Sequence, residues 1–204
     1  MRPVDDLAAR VRALSASRGC RVLIGIAGAP GSGKTTLAEA LTRALGGFPY
    51  AAHVPMDGFH LADVELDRLG RRDRKGAPDT FDRDGYRALL ARIVAGETVW
   101  APSFERVLEQ PIAQAIPVVE QTRIVVTEGN YLLLPSWHEV RALFDEVWFC
   151  RQDESARIAQ LIARHVEFGK TPDEARAWVL RSDQANAALV AASADDADLV
   201  VDLD

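Results

Sequence analysis

The sequence predicts an α/β fold of three layers, α/β/α: a mostly parallel central sheet between helices, with a helical lid. Three observations carry this. Short apolar, β-branched runs recur along the chain and read as strands buried on both faces. Stretches with apolar residues at helical spacing separate them. A glycine-rich segment joins the first such strand directly to a helix. The 204 residues suit a single domain, with a lid over about 153–185 and a substrate-side insert over about 58–120.

Residues 4–18 place Val4, Leu7, Val11 and Leu14 at helical spacing. Arg21–Ala27 is the first buried strand. After GAPGSGKTT (28–36), Leu37, Leu41 and Leu45 recur every four residues, and Gly46-Gly47 stops that helix. Ala51–Met56 is a second strand, running into Asp57-Gly58. Residues 58–79 carry Arg68, Arg71, Arg72, Arg74 and Lys75 and are expected to be a mobile insert, a solvated loop rather than a nucleic-acid patch. Asp82 or Asp84 caps a helix that runs to about Ala95. Prolines at 102, 111 and 117 mark 98–119 as an extended excursion, read as a hairpin. RIVVT is a third buried strand and leads to Glu128-Gly129-Asn130. A helix near 136–143 precedes a fourth strand, Glu146–Cys150. Further helices start near Asp153 and at Thr171-Pro172, the latter with proline in the first helical position. Leu199–Leu203 supplies a last strand.

Composition narrows the function. The net charge of −6 and pI near 5.3 argue against a bulk electrostatic grip on nucleic acid or an anionic membrane. No run approaches the length of a spanning helix, and MRPVDDLAARV has acids where a signal peptide needs an apolar stretch, so a cytoplasmic protein is expected. Cys20 and Cys150 are too few for a disulfide framework and read as reduced thiols. The four histidines show no metal spacing. The sequence permits a homo-oligomer without specifying one.

Gly28-x-x-x-x-Gly33-Lys34-Thr35 fits the phosphate-loop pattern. Glycines let backbone N–H groups curl around phosphate oxygens, and the following helix points its positive end at the anion. Residues Gly28, Ala29, Pro30, Gly31, Ser32, Gly33, Lys34, Thr35 and Thr36 are therefore the expected cradle for the polyphosphate of ATP. Lys34 supplies a point charge and Thr35 a hydroxyl for Mg²⁺. In an open parallel sheet every strand delivers its C-terminal end to one rim. Asp57 and Glu128 each follow a predicted strand, so topology alone brings them to the phosphate loop. Asp57 suits the orientation or deprotonation of an acceptor hydroxyl, and Glu128 suits Mg²⁺, with Asp57 a further metal candidate. Arg157 and Arg164 are seven residues apart and share one helix face, from which they can close over a transferring phosphate. Gly169 ends that helix and is a candidate hinge.

Taken together, GAPGSGKTT, PMDGFH, APDTFDRDGY, VVTEGNYLLL and the R-x₆-R of the lid resemble the uridine kinase / phosphoribulokinase / bacterial pantothenate kinase family of P-loop kinases. The match covers most of the chain and is nearest the branch of small bacterial nucleoside/nucleotide kinase-like or fructose-transport sugar kinases. The resemblance implies the P-loop NTPase fold, with Asp57 as the catalytic carboxylate, Glu128 as the acid of the EG motif, and Arg157 and Arg164 as lid arginines. The chain departs from uridine kinases in two places. Gly76-Ala77 stands where they carry Asp-His, and APSFERVLEQP lacks their hairpin Tyr and His. His60, Asp79 and Arg106 are the remaining polar candidates for substrate contact, beside Asp57 and Glu128. The expected activity is ATP–Mg²⁺-dependent phosphorylation of an alcohol on a small metabolite such as a sugar. Nucleoside or pantothenate kinase activity, a nucleoside-monophosphate kinase and a nucleotide-binding regulator are the alternatives.

Overall fold

A computed structural model of the chain describes residues 4–203. Helix α1 (Val4–Arg18) is followed by strand β1 (Val22–Gly28), and the glycine-rich loop leads into α2 (Lys34–Ala44). Strand β2 (Ala51–Pro55) runs into a single 3₁₀ turn, Met56–Phe59. Then come α3 (Asp63–Arg68), α4 (Arg83–Val94) and the hairpin β3 (Val99–Glu105) and β4 (Gln110–Val118). Strand β5 (Ile124–Glu128), α5 (His138–Arg141), β6 (Glu146–Gln152), α6 (Glu154–Glu167), α7 (Pro172–Trp178), α8 (Gln184–Ala191) and β7 (Leu199–Leu203) complete the chain. The central sheet has the order β2-β5-β1-β6-β7 with every pairing parallel, and β3 and β4 form a separate antiparallel pair.

The apolar runs are continuous because both sheet faces are covered. In β1, Val22, Ile24 and Ile26 pack with Leu7 and Val11 of α1 and Leu37 and Leu41 of α2. The alternate residues Leu23 and Ala27 face the other layer, with Tyr86, Leu90 and Ile93 of α4, Val140 of α5 and Val190 of α8. Strand alternation thus sends successive side chains into two different cores. The caps follow the expected chemistry. The Asp82 carboxylate accepts from the Gly85 N–H, the Asp153 carboxylate from the Ala156 N–H, and Thr171 with Glu174 forms a capping box.

One feature differs from the sequence expectation. The insert after Asp57 folds into a helix and ion pairs rather than an open solvated loop. It contains α3, Asp63 binds both Arg72 and Lys75 at 2.8 Å, and Asp79 is held by Arg74. Six mostly charged residues give α3 no apolar stripe long enough to be read. The helix expected from Thr171-Pro172 is present as α7, and a π-helical turn, Val179–Asp183, joins it to α8.

Arg21, just before β1, is buried. Its guanidinium donates to the carbonyls of Thr122, Ile93, Glu97 and Val119 at 2.8–3.0 Å. It closes the sheet end opposite the glycine-rich loop. Arg21→Met strands these acceptors and is expected to cost about 2–4 kcal/mol in urea unfolding, with the nucleotide affinity of the folded fraction unchanged.

Candidate active site

The strand register builds the site. Ile26 of β1 and Pro55 of β2 both pair with Glu128 at the end of β5. The loop after β1, the turn after β2 and the Glu128 carboxylate therefore reach the same rim. They line one cavity of about 780 Å³ that also receives the hairpin and the α6–α8 arm.

Gly31 adopts φ +78°, and a Cβ there would lie 2.6 Å from Leu161 Cγ of α6, so the loop and the arm touch where only glycine fits. Ser32 Oγ is buried without a hydrogen-bond partner. Lys34, at the first turn of α2, is buried and donates to the Ala29 carbonyl at 2.9 Å. Burial pushes its pKa down, and the charges of Glu128, Cys150 and Asp57 only partly oppose that. A dry ammonium, an orphaned hydroxyl and a helix start facing one hollow are the fittings of an anion site.

Glu128 is buried and accepts from the Thr35 hydroxyl at 3.2 Å. Burial first, then the Asp57 charge, raise its pKa, against Lys34 and Thr35. Among the described residues no three His, Cys, Asp or Glu side chains form a metal cage. Thr35, Glu128 and Asp57 do offer hard oxygen donors beside the loop. This suits Mg²⁺, which takes one or two carboxylates and completes its shell with substrate phosphates and water.

Asp57 sits in the 3₁₀ turn, its carboxylate 3.7 Å from the Arg106 guanidinium. The neighbouring Gly58 explains how the hairpin comes so close: a Cβ there would lie 2.5 Å from the Pro102 carbonyl oxygen. His60 stacks on Phe81 with ring centroids 3.9 Å apart, and its Nδ1 is buried without a partner. His60 and His53, whose Nε2 lies 3.9 Å from Glu128, are held neutral by burial, each with its pKa lowered to about 4.

Those two histidines set a pH dependence. Unfolded histidine takes a proton near pH 6.5, whereas the folded pair resists until about 4. Between these values the two unfolded histidines bind more protons, which outweighs the opposite contribution of the single Glu128, whose pKa is raised to about 7, so stability falls as pH drops from about 6.5 towards 4. Urea unfolding at several pH values is expected to show this slope, and His53→Gln to flatten it.

Most of the expected site residues converge here. Pro30 to Thr36, Asp57, His60, Arg106, Glu128 and Arg164 all line the cavity. Gly28 and Ala29 are not among its lining residues. Asp79 is turned to Arg74 and Arg71 and is not among the lining residues. Arg157 shares its helix with Arg164 but is buried against the loop, donating to the Pro30 carbonyl at 3.0 Å and to Gln184. Helical spacing placed both arginines on one side of α6, but not the loop that Arg157 meets. Lys75, Phe104 and the His165–Asp183 pair (3.1 Å) also line the cavity. No local motif marks them, because packing between the insert, the hairpin and the arm brings them in.

The sequence profile of the Phosphoribulokinase / Uridine kinase family matches residues 23–203. The chain belongs to this family. It is an ATP-dependent small-molecule kinase. The kinase is 37% identical over 183 residues to "Putative uridine kinase C227.14" of Schizosaccharomyces pombe, covering 83% of this chain and 78% of that protein. It is 30% identical over 207 residues to the protein YggC of Escherichia coli, covering 99% and 85%. Among solved structures it superposes with TM-score 0.88 on a "putative fructose transport system kinase" from Silicibacter sp. TM1040, at 35% identity and 98% and 100% coverage. The central parallel sheet flanked by helices is thus the kinase fold of the family. Among the described residues no helix is long and apolar enough to cross a membrane.

Proposed function

We propose that this kinase transfers the γ-phosphoryl group of ATP, with Mg²⁺, to an alcohol hydroxyl of a small polar metabolite of the sugar class. The observation that carries the reading is the convergence of Asp57 with Lys34, Thr35 and Glu128 in one cavity. The loop amides, Ser32 and Lys34 hold the triphosphate. Thr35 and Glu128 hold Mg²⁺, which neutralises phosphate charge when bound. Asp57 orients the acceptor hydroxyl and takes its proton. The α6–α8 arm acts as the lid: Arg164 faces the transferring group, while Arg157 positions the loop through Pro30. His60 and Arg106 form the acceptor-side wall. The catalysis is positioning plus charge stabilisation.

The sugar class is favoured by a lining rich in carboxylates, cations and amides and by the solved relative named as a fructose transport system kinase. Asp79 is assigned to the structure of the insert rather than to substrate. The test is ADP release from Mg·ATP over a panel of sugars, nucleosides, pantothenate and glycerate. Sugar-dependent release supports the reading. Release that is the same with and without every acceptor contradicts it.

A further inference from the structure

Transfer to an alcohol forms a bond from the acceptor oxygen to the γ-phosphorus as the bond to the β-phosphate bridging oxygen breaks. The leaving electron pair departs with ADP, and the hydroxyl proton goes to the Asp57 carboxylate. Charge in transit spreads over the equatorial phosphoryl oxygens and needs cations placed around them. Lys34 supplies one from the loop.

The arm supplies fewer than its sequence suggests. Arg157 is spent on the Pro30 carbonyl and on Gln184. Of the two arm arginines only Arg164 lines the cavity, beside Lys170, whose ammonium lies over the Trp178 ring, and Arg164 makes no hydrogen bond or ion pair with any described residue. The opposite wall offers a second guanidinium in the same condition. Arg106, the first residue past β3, lines the cavity and makes no hydrogen bond to the described chain. Its one charged contact, Asp57 at 3.7 Å, is beyond hydrogen-bond length. The pinned approach of the hairpin at Gly58 fixes its base beside the Asp57 turn.

Two guanidiniums therefore look into one hollow with their donors unused. Burial first, and then the Arg106 charge, push the Arg164 pKa down, opposed by Asp183, Asp57 and Glu109, so the two cations feel one another. Such an arrangement is unfavourable while empty and is relieved by a multiply charged anion between them. Arg106 lies next to the carboxylate that receives the acceptor proton, so that anion is the group in flight.

We infer that Arg106 is a catalytic residue of this kinase: with Arg164 it grips the transferring phosphoryl group, one arginine from the hairpin and the other from the arm. This rests on the phosphotransfer reading above and moves Arg106 from the acceptor wall to the reacting group.

The test measures binding of Mg·ADP and of Mg·ADP with aluminium fluoride, a planar mimic of the phosphoryl group in transit, to the full-length wild type, Arg106→Gln and Arg106→Lys by calorimetry. In Arg106→Gln, Mg·ADP affinity should stay within about twofold, while the tightening caused by fluoride should fall about 10²–10³-fold, as for loss of one transition-state donor. Arg106→Lys should restore part of it, because charge returns without the planar fork. Equal tightening in wild type and Arg106→Gln, or none in wild type, overturns the assignment. So does an Arg106→Gln enzyme that loses acceptor affinity with kcat intact, since this places Arg106 on the acceptor. Failure of the phosphotransfer reading shows separately, as wild type that does not bind Mg·ADP.

Discussion

Asp57→Asn is expected to lower phosphoryl transfer about 10²–10⁴-fold, the range for loss of a positioned base, with ATP affinity within about twofold of wild type. The carboxylate follows β2, on the wall facing the phosphate loop, and its charged neighbour is Arg106 rather than a loop amide. Asparagine keeps the shape and can still accept a hydrogen bond from an alcohol, but it cannot take the proton. The fold should tolerate the change, because the Asp57–Arg106 pair is partly exposed and separated by 3.7 Å, a geometry that contributes little stability. Single-turnover transfer from γ-labelled ATP, with a parallel nucleotide titration, separates the two effects. Near-normal turnover would remove Asp57 from the chemistry.

Lys34→Met should weaken Mg·ATP binding and slow transfer together, the rate by about 10²–10³-fold. The ammonium is buried with one carbonyl partner, Ala29, and the charges of Glu128, Cys150 and Asp57 only partly offset its desolvation, so on the proposed reading a bound phosphate completes its surroundings. Methionine fills the same space without the charge. ADP, which lacks the γ-phosphate, should lose less affinity than ATP if Lys34 serves the β- and γ-phosphates as proposed. An unchanged ATP titration would contradict the assignment of the loop.

Much of the frame was legible because the physics is local or topological. The runs at 21–27, 123–127 and 146–150 could be read as strands because a parallel sheet covered on both faces needs apolar residues in succession. The convergence of Asp57 and Glu128 on the loop followed from strand direction alone, and the register of Pro55 and Ile26 with Glu128 bears it out. Asp153, Thr171 and the pair Asp82/Asp84 marked helix starts because capping chemistry acts over one turn, and of that pair Asp82 is the cap.

The rest depends on contacts between distant segments. Seven-residue spacing places Arg157 and Arg164 together, yet one meets the back of the loop and the other the cavity, because α6 runs across the edge of both. Asp79 resembled a substrate contact until the insert folded and gave it Arg74 and Arg71. The placement of Arg106 depends on the close passage of Pro102 over Gly58, which neither segment announces.

The most direct test of the central claim, that the phosphate held by the loop passes to an alcohol oriented by Asp57, is a ³¹P NMR record of the reaction with Mg·ATP and the acceptor panel. The account predicts a phosphomonoester resonance growing in step with ADP for wild type and absent for Asp57→Asn at equal nucleotide occupancy. Inorganic phosphate as the sole product, formed equally fast by both proteins, would contradict it.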